Sequence, residues 1–160
     1  MIVIADTTPL SELAKVGQMN LLRDLFGQVI IPQEVYNEVT TGTHPAAIEV
    51  PLAIWIQVRS ISDRQKLLEL RITTKLGLGE CAAMILAEEL GAGRLLVDDL
   101  PARRVAESRN LPLIGTVGTL LLAKQKGLIP NVKDVLDALI AQGARISQRV
   151  YQEALAIATE

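Results

Sequence analysis

Short aliphatic runs alternating with stretches of helical spacing constrain this chain more than any other feature. IVIA at residues 2–5, QVII at 28–31, RLLV at 94–97 and LI at 113–114 are each followed closely by a segment of helical pattern. Runs this short and apolar read as strands buried on both faces, the usual state of strands in a parallel sheet. Parallel neighbours need a crossover, and a helix is the usual one. The succession therefore predicts an α/β fold with a central, mostly parallel sheet of four to five strands.

After the first run, Leu10, Leu13 and Val16 share one helical face, with Thr8 before Pro9 as the expected N-cap and first-turn proline. Further helices are predicted over 19–26, 33–39, 63–70, 80–90, 101–109, 116–126, 132–142 and 147–158, the last capped by Ser147. The 80–90 segment is rich in alanine, carries an apolar face that includes Cys81, Met84 and Ile85, and stops at Gly91. Residues 54–58 read as an edge strand, and 40–51, with Gly42 and Pro45, as a loop or broken helix. No repeat, low-complexity tract or linker interrupts the pattern, and 160 residues suit one domain.

In an open parallel sheet, ligands gather beyond the carboxyl ends of the strands. Asp6 ends the first run, Asp98 and Asp99 end RLLV, and Glu80 opens a helix, where the dipole favours a carboxylate. Thr8 as the cap would leave Asp6 with no structural task. Carboxylates that converge repel one another, and without a cation at least one takes up a proton. Hard oxygen donors suit Mg²⁺ or Mn²⁺. Two such ions about 3.5–4 Å apart activate water and stabilise a leaving phosphodiester oxygen, with no nucleophilic side chain required. That chemistry suits a chain with one Cys and one His.

Composition narrows the alternatives. Aromatic residues make up 2% of the chain, too few for base-stacking platforms. A net charge of −2 argues against a general basic nucleic-acid binder, but not against an acidic metal site. The single Cys81 excludes an internal disulfide. No stretch approaches the roughly 20 apolar residues of a membrane span, so the expectation is a soluble, cytoplasmic protein without a membrane role.

Four pieces in this order resemble the PIN-domain family. They are Ile2-Val3-Ile4-Ala5-Asp6-Thr7-Thr8-Pro9-Leu10, then Ile31-Pro32 leading into a helix that ends Glu38-Val39, then Gly79-Glu80-Cys81-Ala82-Ala83, then Leu95-Leu96-Val97-Asp98-Asp99. The resemblance spans about residues 1–126 of a single 1–160 domain, leaving 127–160 as a helical extension. It implies a three-layer αβα fold and Mg²⁺- or Mn²⁺-dependent endoribonuclease activity. It places Asp6, Glu38, Glu80 and Asp99 as catalytic acids and Asp6, Glu80, Asp98 and Asp99 around the metal. Small bacterial members are often toxins of toxin–antitoxin pairs, which implies RNA as substrate, a small antitoxin as partner and a homodimer. The chain departs from the family pattern with Glu where many members have Asp at position 80, and with no Ser or Thr before the last acid.

Thr7, Thr8, Arg103, Arg104 and Thr116 are candidates for holding substrate. Each residue also has a plainer reading. Asp99 would serve as an N-cap, Glu80 as a favourable first-turn charge, Glu38 as a surface charge, and Thr8 and Thr116 as caps. His44 reads as surface, and Cys81 as core. Two other functions compete: a non-catalytic PIN-like interaction module, and a phosphoacceptor receiver domain. The latter would place its acidic doublet after the first strand rather than a late one.

Overall fold

The computed structural model describes residues 1–160. Strands β1 (Val3–Ala5), β2 (Val29–Pro32), β3 (Ile56–Arg59), β4 (Arg94–Leu96) and β5 (Leu113–Ile114) form one sheet in the order β3-β2-β1-β4-β5. Every pairing is parallel. The chain winds from β1 outward to β3, then returns to the other side of β1 for β4 and β5. The order therefore reverses between β1 and β4, and a crevice opens there beyond the strand ends.

Helices α1 (Thr7–Lys15), α2 (Asn20–Phe26), α3 (Gln33–Val39), α4 (Pro45–Leu52), α8 (Thr116–Gln125), α9 (Lys133–Ala141) and α10 (Gln148–Ile157) share one core with Val3, Ala5, Val29, Ile31 and Leu96. Helices α5 (Arg64–Thr74), α6 (Leu78–Leu90) and α7 (Leu100–Ser108) pack with Ile4, Ile30, Leu95 and Val97 on the other face. Successive strand residues thus feed alternate faces, as the pleat requires. The result is the three-layer αβα arrangement expected, with a fully parallel sheet. The two C-terminal helices contribute Leu136, Leu139 and Ala154 to the same core as Leu10 and Leu120.

Four local expectations change. Helix α1 starts at Thr7 with Asp6 in the N-cap position, so Thr8 lies inside the helix and is not its cap. Residues 45–52 form α4 because Pro45 stands at its start, where a missing N–H is harmless. The edge strand begins two residues later than its aliphatic run, at Ile56. Helix α6 is buried all round from Cys81 to Ala87 rather than along one stripe, being packed against the sheet, α3 and α5. Ser147 does cap α10, accepting the Val150 N–H at 3.1 Å.

At the far end, the Glu160 carboxylate accepts the Val132 and Lys133 N–H groups at 2.7 and 2.9 Å and pairs with Lys124 at 2.9 Å. Burial opposes its charge, but these donors hold its carboxyl down to about 2.

Candidate functional site

The β1–β4 register aligns Ala5 with Leu96, and the Asp6 N–H donates to the Leu96 carbonyl at 2.9 Å. Asp6 and the Asp98–Asp99 pair therefore leave the sheet at the same edge, at the switch point. Asp6 is 3% exposed, and although it occupies an N-cap position its side chain caps nothing. Burial drives its carboxyl up to about 7; the Thr7 N–H opposes this, while the charges of Glu80, Glu38 and Asp98 add to it. A buried carboxyl with that environment is frustrated as an anion.

Glu38 reaches the same crevice from α3. It accepts the Thr7 hydroxyl at 2.8 Å and the Gly79 N–H at 2.9 Å. Gly79 is required for this approach, because a Cβ there would lie 2.5 and 2.7 Å from the two Glu38 oxygens. Glu80 is the third residue of α6 and turns back to accept the Gly77 N–H at 3.1 Å. Burial raises its carboxyl, the Gly77 bond opposes this, and the charges of Asp99 and Glu38 raise it further.

Asp98 is held at both oxygens by Thr116, from the backbone N–H at 2.7 Å and the hydroxyl at 2.6 Å. Gly115 leaves room for this: a Cβ there would stand 2.9 Å from Asp98 Oδ1 and 3.0 Å from Arg103 Nη1. Arg103 spends one donor on the Val97 carbonyl at 2.7 Å. Asp99 caps α7 through the Ala102 N–H at 3.3 Å, a long bond for a cap. The plainer readings of Asp99 and Glu80 thus both describe bonds that exist, beside the electrostatic contact between these two acids.

None of the five acids forms an ion pair with a lysine or arginine. Among nearby cations, Arg64 pairs with Glu34, while Lys66 and Arg109 pair with Glu88. Arg104 is exposed on α7. A groove of about 970 Å³ lies beside Asp98 and Asp99, lined also by Thr8, Glu12, Arg103 and Arg145. Glu12 and Arg145 were not marked as candidates in the sequence. The helical spacing of Thr8 and Glu12 puts both on one face of α1 and is the signal that could have found Glu12. Nothing local marks Arg145.

These donors suit a hard divalent cation in kind: carboxylate oxygens, uncompensated charge and one buried acid driven up to about 7. No three acidic, histidine or cysteine side chains are drawn tightly enough to make a closed ion site. The arrangement is open, and an ion held there would keep several waters.

A doubly wound parallel sheet with carboxylates gathered at its switch point defines a class of α/β domain built around an acidic site. A PIN-domain family model matches residues 2–160, through the last two helices, and the chain belongs to the PIN-domain family. PIN domains are generally nucleases and typically work with divalent metals, so the fold is of nuclease type. No curated protein matches the chain. No helix is long and apolar enough to cross a membrane.

Proposed function

We propose that this chain is a divalent-metal-dependent ribonuclease that hydrolyses RNA phosphodiester bonds. One observation carries the reading: Asp6, buried at the switch point among Glu38, Glu80 and Asp98, has no cationic partner in the protein. Asp6, Glu80, Asp98 and Asp99 are the residues that would hold Mg²⁺ or Mn²⁺. Such an ion supplies charge neutralisation and a water of lowered pKa. Thr116 fixes the Asp98 carboxylate, and Thr7 with the Gly79 N–H fixes Glu38. Glu80 turns one oxygen to the Gly77 N–H and would keep the other, beside Asp99, for such an ion. Thr8, Arg103 and Arg104 are the phosphate contacts of this reading.

Purified protein is expected to cleave single-stranded RNA with Mg²⁺ or Mn²⁺ and to stop in EDTA, and Asp6→Asn is expected to abolish cleavage while folding persists. Undiminished cleavage in EDTA defeats the reading. The biological setting we propose is the toxin half of a toxin–antitoxin pair, acting in the cytoplasm as a homodimer. Growth arrest on expression, relieved by a co-expressed small partner, tests it. A second reading, a non-catalytic PIN-like interaction module, is favoured by the lack of a closed three-ligand cluster and by the hydrogen bonds already occupying Glu38 and Asp98. Under that reading Asp6→Asn behaves like the parent in every assay.

A further inference from the structure

The groove beside the acids has two unlike walls. One is the Asp98–Asp99 side of the candidate site, with Arg103 and Thr116; Asp6, Glu38 and Glu80 lie outside the groove. The other is the turn between α9 and α10 and the start of α10, carrying Arg145, Ile146 and Val150. The floor is aliphatic, from Leu113, Ile114 and Val117. The groove's volume, about 970 Å³, is that of a small-ligand cleft and has room for an unpaired nucleotide or two.

Arg145 is the telling residue. It is exposed, forms no ion pair, and is with Arg103 one of two cations lining the groove, which also holds the carboxylates of Glu12, Asp98 and Asp99. Arg103, on the near wall, is half-buried and already braces the Val97 carbonyl. A ligand that satisfies this groove must bring negative charge to Arg145, an apolar body to the floor, and a group that tolerates the acids once a divalent ion neutralises them. An unpaired nucleotide flanking a scissile phosphate has all three. We infer that the groove between the acidic site and the α9–α10 turn is a subsite for single-stranded RNA, with Arg145 gripping a phosphate next to the cleaved bond and the aliphatic floor packing its base. The inference rests on the ribonuclease reading for the identity of the ligand. It assigns to the C-terminal helices a part in binding as well as in the core. With an aliphatic rather than aromatic floor, base discrimination at this subsite is weak.

The test uses the full chain carrying Asp6→Asn in Mg²⁺ high enough to saturate its weakened site, so that binding is read with the acids neutralised and without cleavage. Its probe is a fluorescein-labelled single-stranded oligoribonucleotide of about ten nucleotides, followed by anisotropy across a salt series. Adding Arg145→Glu should weaken binding roughly tenfold and reduce the salt slope by about one. Val150→Glu should weaken binding too. Both variants should melt with the parent, since both side chains are exposed, and a duplex of the same sequence should bind less well. Equal affinity and slope for the Arg145 variant overturn the proposal. If the native chain cleaves RNA and Arg145→Glu leaves KM unchanged, the groove is lost but the ribonuclease stands. If Arg145 governs binding while the native chain cleaves nothing, the groove stands and the ribonuclease is lost. Absence of any RNA binding removes both. Conversion of a dimer to a monomer by Val150→Glu, with RNA affinity untouched, gives the groove to a second copy of the chain and also overturns the proposal.

Discussion

Asp6 concentrates the account at the scale of one residue. Its carboxyl moves from an ordinary 3.8 in the unfolded chain to about 7 in the fold, so the native state binds its proton more tightly. Stability from this group is present at low pH and is lost as pH rises from about 4 to about 7, leaving a constant penalty above. That displacement corresponds to a penalty on the order of 4 kcal/mol on the charged form. Metal-free Asp6→Asn should therefore melt higher than the parent at pH 8, with little difference at pH 4; equal melting curves at pH 8 would show that Asp6 is not strained. Gly79→Ala argues the same site from the other side. Alanine gains up to about 1 kcal/mol of helix propensity, but its Cβ would stand 2.5 Å from Glu38. Glu38 is exposed and its carboxylate can swing away, so stability is expected to hold while Glu38 is displaced and cleavage falls, read by urea denaturation beside a cleavage assay. The sequence identified Asp6 as an acid at a strand end, but not its burial, because burial depends on what α3 and α6 bring across the crevice.

Elements show where local pattern suffices and where it fails. Helix α3 at Gln33–Val39 and strand β5 at Leu113–Ile114 lie where periodicity puts them, since turn residues bound each one. Helix α1 begins two residues before the expected start because Asp6, needed at the strand end, also takes the N-cap position without capping. The sequence pattern leaves α4 ambiguous between loop and broken helix because its polar approach, Gly42 to His44, masks the helix start at Pro45. The all-round burial of α6 is a tertiary property that no single-stripe pattern reports. Thr116 ties two elements together, joining the start of α8 to the acid after β4. Thr116→Val keeps volume and the N–H bond but removes the hydroxyl. A charged-group hydrogen bond contributes about 1.5–3 kcal/mol, so a loss near the lower end is expected in chemical denaturation. A loss in metal affinity should accompany it, and unchanged affinity would make the clasp purely structural.

For the whole molecule, the parallel α/β architecture was legible from alternating runs, whereas the strand order, and with it the switch point, was not. Order follows from which helix faces bury against which strands, and that is settled only in three dimensions. The C-terminal helices illustrate this: beyond the segment that carried the resemblance, they enter the main core and are fastened by Glu160. Because the Glu160 carboxyl is depressed to about 2, its contribution is present above the ordinary 4.5 and is lost as pH falls towards 2. Glu160→Gln should speed hydrogen exchange in α9 at pH 7, with the gap from the parent closing near pH 2; identical exchange at pH 7 would remove the fastening role.

The central claim is that carboxylates brought together at the β1–β4 switch point share a divalent cation. Mn²⁺ binding followed by electron paramagnetic resonance at pH 7.5 tests it most directly, comparing the native chain with Asp6→Asn. The native chain is expected to bind saturably, with at least a tenfold loss in the variant, which is roughly 1.4 kcal/mol. Equal binding by both proteins, or none by either, would contradict it.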